Sequence, residues 1–277
     1  IIEQLIARGQ FQEALRRTES LAPSIQRHLL ASKAHDGLGD AARAVAEAEA
    51  ALALDPRSEA AHLQLGQIFL SNNTPQAALD VFTDALALHP NSFLLRTGRG
   101  LALKDLNLYD EAIAELKRCL DAKPGFAICF DGLATSYLNA KRFDELSAAA
   151  ATQEKINSTD YRAPYFAAAA RNATGAPLIE TVELLQRSIK RNHRFAAAHA
   201  LLGRVLLQAG DSQGATASLE TAVQLRPDYA PALLNLAQAY KKAGREADSA
   251  RAYDQLRAAN EKERAGKPAL IYHRGPK

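Results

Sequence analysis

Hydrophobic and polar positions alternate in a helix–turn–helix pattern that is clearest between Glu59 and Ser92. An apolar stretch runs to Leu70, the polar turn Ser-Asn-Asn-Thr-Pro follows, and a second apolar stretch ends before Pro90. Each stretch is amphipathic, so neither helix can bury its apolar side alone. The pattern therefore predicts a pair of helices that packs against further pairs.

This pattern recurs along the chain with a fixed period. Three kinds of marker residue repeat at intervals of 34 residues, and of 103 residues across the middle of the chain. They are prolines that end helices, glycines of the first helices and alanines of the second helices. Because 103 is three times 34 plus one, a single residue, Tyr161, is inserted there. A fixed period of this length indicates a repeat architecture. The marker residues are Pro56, Pro90, Pro124 and Pro227, then Gly66, Gly100 and Gly203, then Ala44, Ala78, Ala112 and Ala215.

The period divides residues 1–263 into an array of repeats, followed by a basic tail at 264–277. We expect a partial repeat at 1–24 and full repeats at 25–58, 59–92, 93–126, 127–160, 162–195, 196–229 and 230–263. Repeats 127–160 and 162–195 are degenerate, because they lose several of the recurring packing residues. Since the stability of such an array is roughly a sum over repeats and their interfaces, we expect this segment to be locally weak.

Short polar segments predict how individual helices begin and end. Gly39 is expected to take the left-handed conformation past a helix end. Asp40 and Asp110 are expected to cap the helices that follow them. In the partial repeat, Phe11 and Leu21 are expected to face inward.

The residues of the clearest repeat resemble those of the tetratricopeptide repeat family, which shares the 34-residue period. This resemblance implies an all-α fold, a right-handed α-α superhelix or solenoid of helix pairs whose first helices line a concave face. It also implies a soluble, non-catalytic scaffold for protein–protein interaction. The matching residues are Leu65, Gly66, Phe69, Ala78, Phe82, Ala85 and Pro90.

The resemblance also indicates which positions would line the groove that binds a partner. The mixed and partly apolar character of these positions suits an extended or helical segment of another protein. Leu63, Leu101 and Phe166 are the expected apolar anchors, and Lys33 and Arg204 the expected cations. The groove positions are Leu29, Lys33, Leu63, Gln67, Thr97, Leu101, Asp131, Thr135, Phe166, Ala170, Ala200, Arg204, Leu234 and Gln238.

One subgroup of the family grips the C-terminal carboxylate of chaperones with a set of lysines, asparagines and an arginine across three consecutive repeats. In this chain only Lys33 and Asn235 match that set, and they lie far apart. Leu, Gln, Thr, Ala and Asp occupy most of the corresponding positions. The sequence therefore argues against membership of that subgroup.

Charge does not favour nucleic acid as a partner. The chain has 34 Lys and Arg against 31 Asp and Glu, a net charge of +3. Lys267, Arg274 and Lys277 of the tail account for this excess, so the repeats are neutral and lack the basic stripe of a nucleic-acid-binding protein. Single-stranded RNA binding by helical repeats is thus the less favoured reading.

The sequence gives no compartment. No apolar run is long enough to cross a bilayer, and the first residues lack the layout of a signal peptide. The chain contains no Met, so we expect it to be a processed or excised piece of a longer chain. Cytoplasmic location is the default expectation, and export to a bacterial periplasm is the alternative if an upstream signal is removed.

No pattern in the sequence calls for catalysis, a cofactor or a metal. No Ser-His-Asp triad, pair of carboxylates or glycine-rich phosphate loop stands out in the sequence. His28 and His35 lie seven residues apart without the further ligands that zinc requires. We therefore expect a protein that is not an enzyme; the alternative is the repeat region of a larger enzyme whose catalytic domain lies elsewhere.

The remaining reactive residues are expected to be structural. His62 and His199 occupy packing positions and are expected to be partly buried. Cys119 and Cys129 match no metal motif. We expect them to be free buried thiols, with a disulfide at one interface between repeats as the alternative.

The tail is expected to cover the end of the array. A terminal repeat exposes an apolar side that needs a cap. Gly266 and Pro268 would stop the last helix, and Leu270, Ile271 and Tyr272 would then lie extended against the last helix pair. The alternative is a disordered basic terminus.

Overall fold

A computed structural model describes residues 1–265, Leu270 and Tyr272, and the side chains of 1–263 and of these two residues. All regular secondary structure in this part of the chain is α-helical, which confirms the all-α class. The helices are α1 Ile2–Ala7, α2 Phe11–Glu19, α3 Ile25–Gly37, α4 Ala41–Leu54, α5 Glu59–Ser71, α6 Pro75–Leu88, α7 Phe93–Asp105, α8 Tyr109–Ala122, α9 Ala127–Asn139, α10 Phe143–Ile156, α11 Arg162–Ala173, α12 Leu178–Arg191, α13 Ala196–Gln208, α14 Ser212–Leu225, α15 Ala230–Lys242 and α16 Glu246–Ala265.

The starts of the helices follow the period of the sequence. Helices α5, α7 and α9 start 34 residues apart, α11 starts 35 residues after α9, and α13 and α15 follow at 34. The inserted residue, Tyr161, is the N-cap residue of α11. The loop before α11 therefore absorbs the insertion, and the helices keep their register.

Serine caps three of the first helices at the same interval. Ser24, Ser58 and Ser92 each accept a hydrogen bond from the backbone N–H three residues later, at 3.2, 3.4 and 3.1 Å. A serine in this position satisfies one of the N–H groups that a helix start leaves unpaired. These serines lie 34 residues apart, so the period fixes helix starts as well as the core.

Only one of the two predicted aspartate caps is confirmed. Asp40 precedes α4 and accepts a hydrogen bond from the N–H of Arg43 at 3.2 Å, which confirms its role. The prediction for Asp110 is wrong, because α8 begins at Tyr109 and Leu108 takes the N-cap position. Asp110 lies in the first turn instead, where its carboxylate interacts favourably with the positive end of the helix dipole.

The short N-terminal helices meet only part of the prediction for residues 1–24. Gly9 separates α1 from α2 with a φ of 74°. Ala14 is fully buried, and Phe11 is half-buried. Leu21 is 40% exposed, so its predicted inward orientation is wrong. The reason is that α2 ends at Glu19 and Leu21 lies beyond it.

The chain divides into two compact units, of which the first runs Ile1–Leu133 and includes Leu270 and Tyr272, and the second runs Ala134–Gly266. In the first unit α5 contacts both α3 and α7, and in the second α13 contacts both α11 and α15. Within neither unit do the second helices of neighbouring pairs make such contacts in the part described. The first helices therefore form a continuous row on one side of each unit.

Glycine lets helices of the first unit approach a phenylalanine ring. The ring of Phe82 on α6 lies between Gly66 on α5 and Gly98 on α7. A Cβ atom on either glycine would lie 2.3 Å from Cζ of Phe82, which is well inside van der Waals contact. Gly39, by contrast, is needed for its backbone, since its φ of 77° confirms the predicted left-handed turn.

The two cysteines form a disulfide, which corrects the expectation of free thiols. Cys119 near the end of α8 and Cys129 near the start of α9 have Cα atoms 6.4 Å apart and are bonded. Both side chains are fully buried, and the Thr97 hydroxyl lies 3.3 and 3.0 Å from the two sulfurs. The helix turn between two repeats brings the cysteines together, so the alternative stated for them holds.

Charged residues form a network of contacts around the inserted position. Asp160 has a fully buried side chain, yet its carboxylate pairs with Arg162 at 2.8 Å and accepts a hydrogen bond from Gln153 at 2.8 Å. Arg191 of α12 donates to the backbone carbonyl of Asp160 at 3.0 Å and to Glu154 of α10 at 2.7 Å. This network ties α10, the loop before α11, and α12 together.

We predict that amides in residues 127–195 exchange with solvent faster than those of the other internal repeats. Three buried atoms there, Nε of Arg171, Oδ1 of Asn172 and Oγ1 of Thr181, have no hydrogen-bond partner in the described part of the chain. An unpaired buried polar atom costs about 1–3 kcal/mol, and local opening relieves that cost. Hydrogen exchange followed by mass spectrometry checks this. Uniform protection from residue 59 to 229 would contradict it.

Candidate partner-binding surface

The predicted groove residues lie on the first helices, but the structure exposes only some of their side chains. Half-buried side chains are those of Leu63, Leu101 and Thr135. Exposed side chains are those of Lys33, Gln67, Asp131, Arg204, Leu234 and Gln238, and buried ones are those of Leu29, Thr97, Phe166, Ala170 and Ala200.

The buried members pack inside the helix array. Leu29 belongs to a small core cluster with Ala51 and Ala61. The Thr97 hydroxyl donates to the backbone carbonyl of Phe93 at 2.7 Å. Phe166 is 4% exposed. As these side chains stand, a partner cannot reach them without a change in packing.

In the first unit, the accessible positions form a strip across α3, α5 and α7. Lys33, Gln67 and Leu101 occupy equivalent positions of successive repeats, and these three helices contact one another in order. Leu63 lies one helical turn before Gln67 on α5. The strip thus combines two half-buried leucines with a cation and an amide.

Leu101 also has a structural contact. A Cβ atom on Gly132 of α9 would lie 2.9 Å from Cδ2 of Leu101, so the leucine packs directly over this glycine. Part of the Leu101 side chain is thereby fixed against the next first helix. The rest of it stays accessible to solvent.

In the second unit, the accessible positions lie on α13 and α15, which contact each other. Leu234 is 41% exposed. Burial raises the pKa of Tyr229, and the positive charges of Arg226 and Arg204 oppose that rise. Arg204 is therefore close enough to Tyr229 to act on its ionisation. The accessible predicted positions of this unit are thus an arginine, a leucine and Gln238.

The tail segment lies elsewhere than predicted. Leu270 and Tyr272 pack against the hydrophobic cluster of the first unit that contains Phe69, rather than on the last helix pair as predicted. The rings of Phe69 and Tyr272 meet edge to face with centroids 6.0 Å apart. The other residues of the prediction, Gly266, Lys267, Pro268, Ile271, Arg274 and Lys277, lie outside the described residues.

A cleft of about 450 Å³ opens between α14, α15 and α16 at the end of the second unit. Burial and a hydrogen bond from the Tyr240 hydroxyl to Glu220, at 2.7 Å, raise the pKa of Tyr240 to about 12. The Arg245 guanidinium lies 4.3 Å from the centre of the tyrosine ring. These contacts keep the Tyr240 hydroxyl protonated at neutral pH.

The histidines make internal hydrogen bonds. His62 is 6% exposed and donates from Nδ1 to the Ser58 carbonyl at 2.9 Å, and His28 pairs with Glu47 at 2.7 Å. No group of three or more His, Cys, Asp or Glu side chains in the described residues is placed to hold a metal ion. In that same part of the chain, every helix is too short or too polar to span a membrane.

Known structures resemble this chain in fold. A tetratricopeptide repeat protein from Parabacteroides merdae superimposes with a TM-score of 0.70 at 16% identity, covering 87% of this chain and 95% of that one. Yeast Tom70 superimposes with a TM-score of 0.65 at 17% identity, covering 92% of this chain and 59% of Tom70. At such identities the likeness shows the fold alone, which is a solenoid of helix pairs.

Curated relatives match only a short stretch. The peroxisomal targeting signal receptors of Candida glabrata and Saccharomyces cerevisiae are 34% and 33% identical over 83 and 92 residues. These stretches are 30% and 33% of this chain, and the chain spans only 14% of the length of each receptor.

Family models give a broader match. One tetratricopeptide repeat model matches two overlapping ranges, 29–93 and 75–127, and a second matches residues 206–269. Together these ranges are more than half of the chain. The matched ranges include helices of both units described above. The chain belongs to the tetratricopeptide repeat family, whose repeats are scaffolds for protein interaction.

Proposed function

We propose that this protein is a non-catalytic scaffold that binds an extended or helical segment of a partner protein along its first helices. One observation carries the proposal: first helices of neighbouring pairs contact one another, so their accessible side chains form one surface in each unit. A repeated row of helices offers the same spacing of contacts many times, which suits a linear segment.

The chemistry of the surface in the first unit defines the segment that it fits. Leu63 and Leu101 are half-buried, so a partner side chain can complete their burial at little cost in lost mobility. Lys33 and Gln67 beside them are exposed and can meet an acidic or amide group. A segment with spaced apolar side chains and an acidic neighbour matches these groups.

The similarity to targeting signal receptors supports the same kind of recognition. A targeting signal is read by its receptor, and the matched stretch of this chain corresponds to part of such proteins. This support concerns the kind of binding and not the identity of the signal. The proposed partner is therefore a protein segment.

We predict that Leu63→Ala combined with Leu101→Ala weakens binding of a captured partner by about 2 kcal/mol or more, because buried apolar anchors carry most interface energy. The partner is identified by pull-down and mass spectrometry, and its affinity is then measured by calorimetry. A matched control is Leu54→Ala with Leu108→Ala, two leucines that are 56% and 42% exposed away from the first-helix row. Circular dichroism must show that each variant stays folded.

The cations provide a second arm of the same experiment. Lys33→Ala and Arg204→Ala should mainly slow association and reduce its salt dependence, since exposed charges at an interface steer encounter more than they add affinity. If the leucine pair unfolds the array, or binds as tightly as the parent, these leucines are core or bystander residues. The proposed surface is then wrong.

A further inference from the structure

The surface around Phe69 is covered by another segment of the same chain. Phe69 lies on α5, in the row of first helices, yet its side chain is fully buried. Tyr272 contributes to that burial, because its ring meets the Phe69 ring edge to face at 6.0 Å between centroids. Such aromatic pairs contribute about 0.5–1.5 kcal/mol beyond the burial of their area.

Leu270 joins Tyr272 on the same hydrophobic cluster, and both side chains are half-buried. Leu270 and Tyr272 thus supply one aliphatic and one aromatic side chain to the same cluster, and large apolar side chains of this kind are the usual anchors of a bound segment.

The cluster that the tail covers is also the cluster against which an anchor of the proposed partner surface packs. Leu63 packs against the same cluster as Leu270 and Tyr272. Leu63 is also one of the two apolar anchors of the proposed partner site. A partner segment that completes the burial of Leu63 therefore approaches the cluster on which the tail lies.

We infer that Leu270 and Tyr272 form an intramolecular ligand that occupies the partner surface on α5 in the free protein. The occupant of this surface is the chain's own C-terminal segment, and a partner replaces it with a segment that carries an aliphatic and an aromatic side chain two residues apart. The inference rests on the proposed function for its biological meaning, but its test needs only this chain.

Tethering gives the tail an advantage over any free segment. A tethered ligand acts at an effective concentration on the order of 1 mM when its linker permits contact. A free segment must compete with that concentration, so its apparent affinity for the intact chain falls. Removal of the tail contacts restores the intrinsic affinity of the surface.

The test uses a fluorescent peptide with the sequence of residues 266–277. Its binding is measured by anisotropy to the full chain and to the full chain that carries Leu270→Ala and Tyr272→Ala. We expect at least tenfold tighter binding to the double variant, because the peptide then meets an open surface. A peptide with the same two alanines should bind neither protein.

The matched control changes an aromatic side chain that takes no part in the contact. Tyr253 on α16 is 39% exposed, so Tyr253→Ala should leave binding of the peptide as it is in the parent. Equal binding to parent and double variant, or binding to neither, would overturn the inference. Binding to the double variant that survives Leu63→Ala would overturn the overlap with the partner site.

A second measurement reports the contact without any peptide. The chain contains no Trp, so Tyr272→Trp creates a single indole whose emission reports its own surroundings. We expect emission at shorter wavelength than that of Tyr253→Trp, and a shift to longer wavelength when unlabelled peptide is added. Equal emission from the two variants would show that position 272 is in water, against the inference.

These results are distinguishable from failure of the proposed function. If the tail experiments succeed and the Leu63 and Leu101 variants still bind the captured partner normally, the intramolecular contact stands and the partner site lies elsewhere. If the partner depends on those leucines and the peptide binds neither protein, the proposed function stands and the intramolecular ligand does not.

Discussion

Phe82→Ala is expected to lower the free energy of unfolding of the first unit by about 3–5 kcal/mol, the usual cost of removing a buried phenylalanine ring. The ring is fully buried and fills the space between Gly66 and Gly98. Glycine has no side chain that could fill this space once the ring is removed. The resulting cavity would lie between α5, α6 and α7, so all three helices would lose a contact. Urea unfolding followed by circular dichroism measures the change, and hydrogen exchange assigns it to residues 59–105.

The matched control is Leu54→Ala in the same unit. Leu54 is 56% exposed, so its change should stay within about 0.5 kcal/mol, as for other surface substitutions. A loss of less than about 1 kcal/mol for Phe82→Ala would mean that the helices close over the cavity. The glycine contacts would then have no special role in stability.

The same contact predicts that glycine and phenylalanine substitutions are coupled. Gly98→Ala alone forces its Cβ against the fully buried ring of Phe82. In Phe82→Leu, the ring atoms that a Cβ on Gly98 would strike are gone, so the two losses should not add. Additive losses in a double-mutant cycle would contradict direct contact.

Features that depend on neighbours in sequence are predictable from the sequence of this chain. The turn at Gly39 and the cap at Asp40 follow from local backbone chemistry, and the structure confirms both. The period places the helices because each repeat has to bury the same apolar side against the next. The prediction fails at Asp110 because the helix start there lies two residues earlier than expected.

Features that depend on contacts between repeats are harder to predict. Leu29, Thr97 and Phe166 are buried, although Leu63 occupies the equivalent position of another repeat and is only half-buried. The packing around each repeat therefore decides whether a groove position is accessible. The disulfide and the site of Tyr272 depend on which repeats meet in space, which the period alone does not specify.

Charge is the other quantity that the sequence does not localise. Asp160 and Arg162 read as ordinary solvated residues next to an insertion, yet the aspartate side chain is fully buried. A buried carboxylate is costly to keep charged unless partners surround it. The structure supplies those partners, and their polar contacts add to the apolar packing that the degenerate repeats keep.

Arg162→Ala is expected to destabilise the second unit by about 3–5 kcal/mol, because it leaves the Asp160 charge buried without its cation. Two atoms of the guanidinium contact the carboxylate, Nε at 2.8 Å and Nη2 at 3.1 Å. The matched control is Arg257→Ala in the same unit, since Arg257 and its partner Asp254 are 72% and 70% exposed. An exposed pair of this kind contributes about 0–1 kcal/mol.

The pH dependence separates the loss of the charge partner from a simple loss of packing. Burial alone would raise the pKa of Asp160, but hydrogen bonds from Arg162 and Gln153 outweigh burial and lower it. A carboxyl whose pKa is lowered in the folded state contributes stability above its unfolded pKa of about 4. That contribution is lost as the pH falls through the folded pKa.

In Arg162→Ala the effect of burial is opposed by fewer partners, so the pKa of folded Asp160 should rise, and protonation of Asp160 should cost the variant less stability than it costs the parent as the pH falls. Urea unfolding of both proteins between pH 3 and pH 7 measures this. Parallel curves, separated by a constant free energy at every pH, would mean that Arg162 acts through packing of its side chain. Curves that converge as the carboxyl becomes protonated would show that the buried charge is the source of the difference, because a neutral Asp160 no longer needs the arginine.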